Sequence, residues 1–275
     1  MPPQQHRRAL VTLATGPYET QWRQLCADNW GRWAHRHGYD VRVFNQPLDN
    51  SPKAQGRAAA WQKLLVMASP DLKAYDTCLW VDADILIHPQ APDPYRDLDP
   101  DTWAVTIESG SRFSPDSALI KEHTALALQQ VAQRQGLAWK GYFETWGFDS
   151  NRRPLFNAGV VGFSPAKHTA QLLHLYYDWE DGGPGSLAEM LPFNLVVQAS
   201  GWQALDGRYN RLIFAYSSAW NHNPERTCQA LGFETTITDA DAFVAALFHT
   251  GYFLHFAGMH NLMARIGPSL VNSCR

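Results

Sequence analysis

Two hydrophobic periods run along this chain. Arg8–Ala14 is a short apolar, β-branched run closed by Thr15-Gly-Pro17, which predicts a buried strand and its turn. From Glu19 to His37 the apolar groups fall at Trp22, Leu25, Cys26, Trp30, Trp33 and Ala34. This is helical spacing, and Gly38 supplies the stop. Asp40–Phe44 alternates and predicts a second strand, so the N-terminal segment reads as a βαβ unit, which implies a parallel sheet. The pattern continues with a loop over 47–56 and a helix over 57–69. A buried strand follows over Thr77–Val81, then Ile85–Ile87 and a Pro-rich turn, then a strand over 103–107. Residues 109–125 read as loop and 124–135 as helix. A strand over 156–163, helices over 167–179 and 186–200, and short strands over 202–205 and 252–256 complete the series. There is no internal repeat, low-complexity tract or linker. The expected architecture is α/β, one domain over residues 8–275 behind a polar N-terminal arm, residues 1–7.

Composition narrows the class. At 275 residues, 45% hydrophobic and 18% charged, the chain is globular in composition and not disordered. Net charge is 23 − 26 = −3 and the isoelectric point is near 6.4, so no positive field draws nucleic acid. No run approaches the ~18 apolar residues of a membrane span, and the apolar stretch near the N-terminus is too short for a signal-peptide core. A soluble, cytoplasmic protein is expected. Cys26, Cys78, Cys228 and Cys274 lack zinc spacing and read as free thiols. Aromatic residues are in surplus, with 11 Trp, 10 Tyr and 13 Phe.

The most informative polar site is Asp82-Ala-Asp84, where an apolar strand leaves the sheet. In extended geometry residues i and i+2 point the same way, so both carboxylates face one ligand. Two bare carboxylates repel, and a divalent cation with open positions for phosphate oxygens relieves this. The alternative is an Asp pair capping a turn, against which stand the apolar flanks Leu79-Trp-Val81 and Ile85-Leu-Ile87. His255, at the end of the apolar Leu254-His-Phe-Ala-Gly258, is either a satisfied core residue or a third ligand. An imidazole beside two carboxylates favours Mn²⁺ over Mg²⁺, and Gly258 lets the backbone approach phosphate.

These strings together resemble a known group. Leu79-Trp-Val-Asp-Ala-Asp-Ile-Leu-Ile87 resembles the DxD strand of the GT-A nucleotide-sugar glycosyltransferases. Phe156-Asn-Ala-Gly159 resembles the FN(A/S)G strand of their retaining members, and Leu254-His-Phe-Ala-Gly258 their late HxxG motif. Asn29-Trp-Gly-Arg-Trp-Ala-His-Arg-His-Gly-Tyr39 is similar to a helix end in the family 34 galactosyl- and xylosyltransferases, relatives of family 8. All four occur in the family's order.

The resemblance implies a single GT-A domain with a mostly parallel, Rossmann-like sheet. It implies a metal-dependent, retaining glycosyltransferase that moves galactose, glucose or xylose from a UDP-sugar to a glycan or other hydroxyl acceptor. Asp82, Asp84 and His255 would bind Mn²⁺ or Mg²⁺, with Asp82 also touching the ribose. Thr12, Ala14, Thr15 and Tyr18 would cradle base and ribose, and Lys63 would meet the donor. Asn157, Ala158 and Gly159 would line the donor-sugar pocket. Gly258 would approach the diphosphate, with His260 or Arg265 in place of a missing lysine. Glu189 and Asp149 would serve as nucleophile or stabiliser beside the reacting carbon.

Two departures bear on activity. Met190 stands where family 8 often carries Gln, and the "KPW" continuation of the late motif is replaced by Met259-His-Asn261. They favour family 34 and keep open a non-catalytic carbohydrate- or nucleotide-sugar-binding protein on a transferase fold. A dehalogenase-type phosphatase would carry its D-x-D on the first strand, and a nucleotidyltransferase would carry a Gly-rich basic first loop; neither pattern is present. Of the aromatic surplus, Trp22, Trp30, Trp33, Trp61, Trp80 and Trp103 belong to the core. Trp139, Tyr142, Phe143, Trp146 and Trp220 sit in loop-like stretches as candidates to stack on an acceptor sugar.

Overall fold

The structure, a computed structural model, describes residues 6–134, 149, 151–180 and 188–273. Its strands are β1 (Arg8–Leu13), β2 (Tyr39–Phe44), β3 (Thr77–Val81), β4 (Ile85–Ile87), β5 (Trp103–Ile107), β6 (Phe156–Phe163), β7 (Trp202–Ala204), β8 (Arg211–Leu212) and β9 (Phe253–His255). Six of them form the main sheet in the order β2-β1-β3-β6-β5-β7. All but β6 run one way, because β6 is antiparallel to both β3 and β5. The expected mostly parallel α/β sheet is therefore present. One edge of it carries the carboxyl ends of β1, β3 and β5 and the start of the reversed β6, and ligands of open α/β sheets bind along such an edge.

Strand alternation sorts the core onto two faces. Leu10, Leu79, Val81 and Val160 pack with the helices around Trp30, Ala219, Leu247 and Met263. Ala9, Val11, Cys78, Trp80 and Val161 pack with Leu64, Leu175 and Phe193 on the other side. The second sheet, β4-β9-β8, shares no strand pairing with the first. β4 is antiparallel to β9, pairing Ile85 with His255, and β8 is parallel to β9, pairing Leu212 with His255.

Several elements differ from the sequence pattern. The helix expected over 19–37 runs from Pro17 in three pieces, with a π turn at Trp22–Cys26 before Ala27–His37. It ends at Gly38, whose φ of 72° suits glycine. The expected helix over 57–69 is a 3₁₀ turn, Ala59–Trp61, and a short helix, Gln62–Met67. The loop before it holds a one-turn helix, Pro52–Gln55, capped by Ser51. Helix Ala118–Arg134 begins inside the expected loop. Ser117 Oγ accepts the Ile120 N–H at 3.4 Å there, as at a helix start, so the last serine of that polar run is a start signal and not loop.

Candidate metal centre

The small sheet is what assembles the site. β4 begins directly after Asp84, β9 ends on His255, and β8 begins directly after Asn210. Pairing these strands brings together residues far apart in sequence. Single ligand atoms of Asp82, Asp84 and His255 lie within 4.8 Å of one another. His255 Nε2 is 3.2 Å from Asp84 Oδ1 and 3.8 Å from Asp82 Oδ2.

The carboxylates converge by a different route from the one expected. Ile85 N–H donates to the Asp82 carbonyl at 3.2 Å, so Asp82–Ile85 is a tight turn and not extended strand. The turn carries the chain from β3 in the main sheet to β4 in the small one. Its rear is held by the helix that resembles family 34. Cys26 Sγ lies 3.3 Å from the Ile85 carbonyl and the Trp30 indole N–H donates to it at 2.9 Å. The Asn29 carboxamide pairs with both backbone groups of Ile87.

Register explains the company of Asp82. Cys78 and Trp80 share one face of β3, helix Gln62–Met67 packs on that face, and Asp82 follows directly after the strand. Trp80 and Lys63 both reach Asp82 Oδ1, at 2.8 and 3.1 Å. Lys63 also meets Glu189 at 3.0 Å and the Ala158 carbonyl at 3.1 Å. Burial would push the Lys63 ammonium down, but Asp82 and Glu189 hold it well above its ordinary value. Burial likewise pushes the His255 imidazole down, and Asp84 and then Asp82 raise it above its usual range. Burial pushes Asp84 up, and the facing His255 more than offsets this.

The remaining predicted residues divide. Thr12 and Ala14 are wholly buried in β1 and its exit, while Thr15 and Tyr18 stay accessible on the loop beyond. The Tyr18 hydroxyl meets His260 Nε2 at 2.7 Å, and burial, then Asp84 and Asp82, raise its pKa. His260 thus stands beside the cluster, whereas Arg265 is paired with Asp241. Gly258, at φ 70°, precedes helix His260–Asn272, whose start has no side-chain cap.

Gly159 corrects its own expectation. A Cβ there would lie 2.6 Å from His255 Cε1, so the space left by its missing side chain is filled by the imidazole and not reserved for a sugar. The Ala158 side chain packs in the core. Glu189 is buried on Lys63, following Ala188 at the unusual φ of 52°. Asp149 is exposed in an Asx turn, its carboxylate bonded to Asn151 N–H and paired with Arg152. Trp220 is also corrected: it is buried, stacked on Phe243, and its indole donates to Ile237 O at 2.8 Å. Trp139, Tyr142, Phe143 and Trp146 lie outside the described residues, as does Cys274.

Two site residues escaped the sequence pattern. Glu108 is buried at the end of β5 and accepts from Asn157 Nδ2 at 2.7 Å. Asn210 accepts from His255 Nδ1, also at 2.7 Å. An acidic residue closing an apolar strand, as in Asp82, was a usable signal for Glu108. Nothing local marks Asn210.

Comparison with solved structures agrees with this architecture. A glycosyltransferase involved in glycosylation of the major capsid of PBCV-1 matches at TM-score 0.53 and 12% identity, over 95% of this chain and 98% of its own. The chain has a glycosyltransferase fold. The bifunctional glycosyltransferase WbbM matches at TM-score 0.56 and 11% identity, over 98% of this chain and 50% of its own. The glycosyltransferase GlyE of Streptococcus pneumoniae TIGR4 matches at TM-score 0.51 and 12% identity, over 97% of this chain and 63% of its own. No family model matches the sequence, and no curated protein does. The GT-A-like architecture implied by the DxD and late motifs is thus the one found. Among the described residues, no helix is long and apolar enough to cross a membrane.

Proposed function

We propose that residues 8–275 form a metal-dependent, retaining glycosyltransferase domain that moves a hexose or pentose from a UDP-sugar to a hydroxyl acceptor. The observation that carries this reading is the convergence of Asp82, Asp84 and His255 at the carboxyl edge of a glycosyltransferase sheet. Two carboxylates and one imidazole fit Mn²⁺, or Mg²⁺ less well. When bound there, the cation supplies Lewis-acid neutralisation of the donor diphosphate.

The chain's own residues have definable parts. The leaving UDP gains negative charge as the C1–O bond breaks. The uncapped start of helix His260–Asn272 offers backbone N–H groups to it, and the Lys63 ammonium adds fixed positive charge beside Asp82. Tyr18 and His260, bonded across the mouth, border the donor side. Glu189, neutralised by Lys63, acts on the electrostatics of Asp82 rather than as a free nucleophile.

The same Lys63–Glu189 pair and Met190 favour a second reading, a nucleotide-sugar-binding protein without turnover. Incubation with UDP-galactose, UDP-glucose and UDP-xylose in Mn²⁺ separates the two. Metal-dependent UDP release, lost in Asp82→Ala, is expected. Donor-induced thermal stabilisation without release supports the binder, and neither response with any donor overturns both.

A further inference from the structure

The hydrogen bonds behind His255 have a direction. The Gly159 N–H needs an oxygen, and Asn157 Oδ1 meets it at 2.8 Å. That orients the Asn157 carboxamide, so its Nδ2 faces the Glu108 carboxylate at 2.7 Å. Asn157 Oδ1 also receives Asn210 Nδ2 at 2.7 Å, and the same Nδ2 lies 3.0 Å from Thr106 Oγ1. Asn210 Oδ1 is then turned toward His255 Nδ1 at 2.7 Å. A carboxamide oxygen can only accept, so Nδ1 carries the hydrogen. Every donor points one way: imidazole to Asn210, Asn210 to Asn157, Asn157 to Glu108.

We propose that Glu108, Asn157 and Asn210 are a positioning relay that holds His255 in its Nδ1–H tautomer and presents the Nε2 lone pair to the Asp82–Asp84 oxygens. The inference rests on the reading of Asp82, Asp84 and His255 as a cation site. A metal-ligating histidine commonly donates its second nitrogen to a carboxylate or carbonyl. Here the carboxylate acts through two amides. The relay accounts for a buried glutamate whose Oε1 and Oε2 meet only Ser109 N–H and Asn157 Nδ2 among the described hydrogen bonds. It also reassigns Asn157, whose Oδ1 is shared between Gly159 and Asn210. A sheet irregularity accompanies the relay: β6 shifts register against β5 between Val105 and Thr106, so Thr106 pairs with Asn157 while Ala158, Gly159 and Val160 have no register partner on β5.

Two measurements test it on the 275-residue chain. The first is the ¹⁵N spectrum of the His255 ring in metal-free protein, above the pH at which the imidazolium loses its proton, assigned with His255→Gln. A protonated Nδ1 and a bare Nε2 are expected; a proton on Nε2 overturns the relay. The second is Mn²⁺ affinity from the electron paramagnetic resonance of the free ion. Asn210→Leu removes the acceptor at similar volume and should weaken binding about 10- to 100-fold. Glu108→Gln keeps an acceptor oxygen but loses the charge and the fixed direction, and should weaken it about threefold. An Asn210→Leu protein that melts normally in chelator yet binds Mn²⁺ like wild type overturns the proposal. Should Asn210→Leu fail to fold, Glu108→Gln decides: wild-type affinity with wild-type ring shifts overturns it. A wild-type protein that binds no Mn²⁺ sinks the proposed function instead, and the ring spectrum still decides the relay.

Discussion

The Trp80 indole N–H donates to Asp82 Oδ1 at 2.8 Å, two residues on and just past the end of β3. With Lys63 on the same oxygen, Oδ1 is occupied by protein donors and Oδ2 is the one that faces His255. Trp80→Phe keeps an aromatic ring and removes the donor. It should cost about 1.5–3 kcal/mol of stability, the range for a hydrogen bond to a charged group, and weaken Mn²⁺ binding several-fold. Chemical denaturation and metal titration check the two effects separately.

Gly159→Ala should be more damaging than its size suggests. The new methyl would sit 2.6 Å from His255 Cε1, 2.7 Å from Nδ1 and 2.9 Å from Asn157 Oδ1. The imidazole must move, so Mn²⁺ binding should be lost, with a stability cost of about 1–3 kcal/mol. Retention of wild-type metal affinity in this variant would show that the ring has room to spare.

Lys63→Met leaves two carboxylates, Asp82 and Glu189, without their shared cation. Removing one partner of a buried ionic group costs about 3–5 kcal/mol. The double variant Lys63→Met, Glu189→Leu should recover part of that loss in urea denaturation. If the two substitutions simply add, the coupling is absent.

His168 sets a pH response away from the Asp82–Asp84–His255 cluster. Its ring stacks on Trp103 at 4.0 Å, and Nδ1 accepts the Ser164 N–H at 2.9 Å, which requires the neutral form. Burial lowers its pKa to about 4. A pKa lower in the folded than in the unfolded state means the stabilisation is complete above the unfolded value near 6.5 and is lost as pH falls toward 4. Thermal melts across that window should show a falling midpoint, and His168→Leu should flatten the part of the slope due to this residue.

Much of the main sheet was legible because its strands are long enough to show a period. β1, β3 and β6 carry runs of four, five and six consecutive buried positions. In the small sheet the apolar run Ile85–Ile87 and the strand over 252–256 were read, but neither β8 nor the pairing was, since β4, β8 and β9 span three, two and three residues. No periodicity can be read from runs so short, and their pairing depends on the rest of the fold. Helices Ile213–His222 and Ala240–Thr250 were missed for another reason: both mix apolar residues around most of their circumference, which blurs an amphipathic stripe. At the site, Asp82, Asp84 and His255 stood out by residue type beside apolar strands. Glu108 and Asn210 act through hydrogen bonds to other polar groups, and such partners leave no local trace. Gly159 was singled out for the wrong neighbour, because a sequence records that a side chain is missing and not what fills its place.

The turn from Asp82 to Ile85 joins two sheets that otherwise pair only within themselves. Asp82 directly follows β3 of the large sheet, while Asp84 directly precedes β4 of the small one, whose β9 ends on His255. A cation gripping all three therefore bridges a seam in the architecture. Its preferred ligand spacing and the relative setting of the two sheets become one mechanical variable. Substitutions deep in the interface between the sheets should alter which ion size is favoured, without touching any ligand.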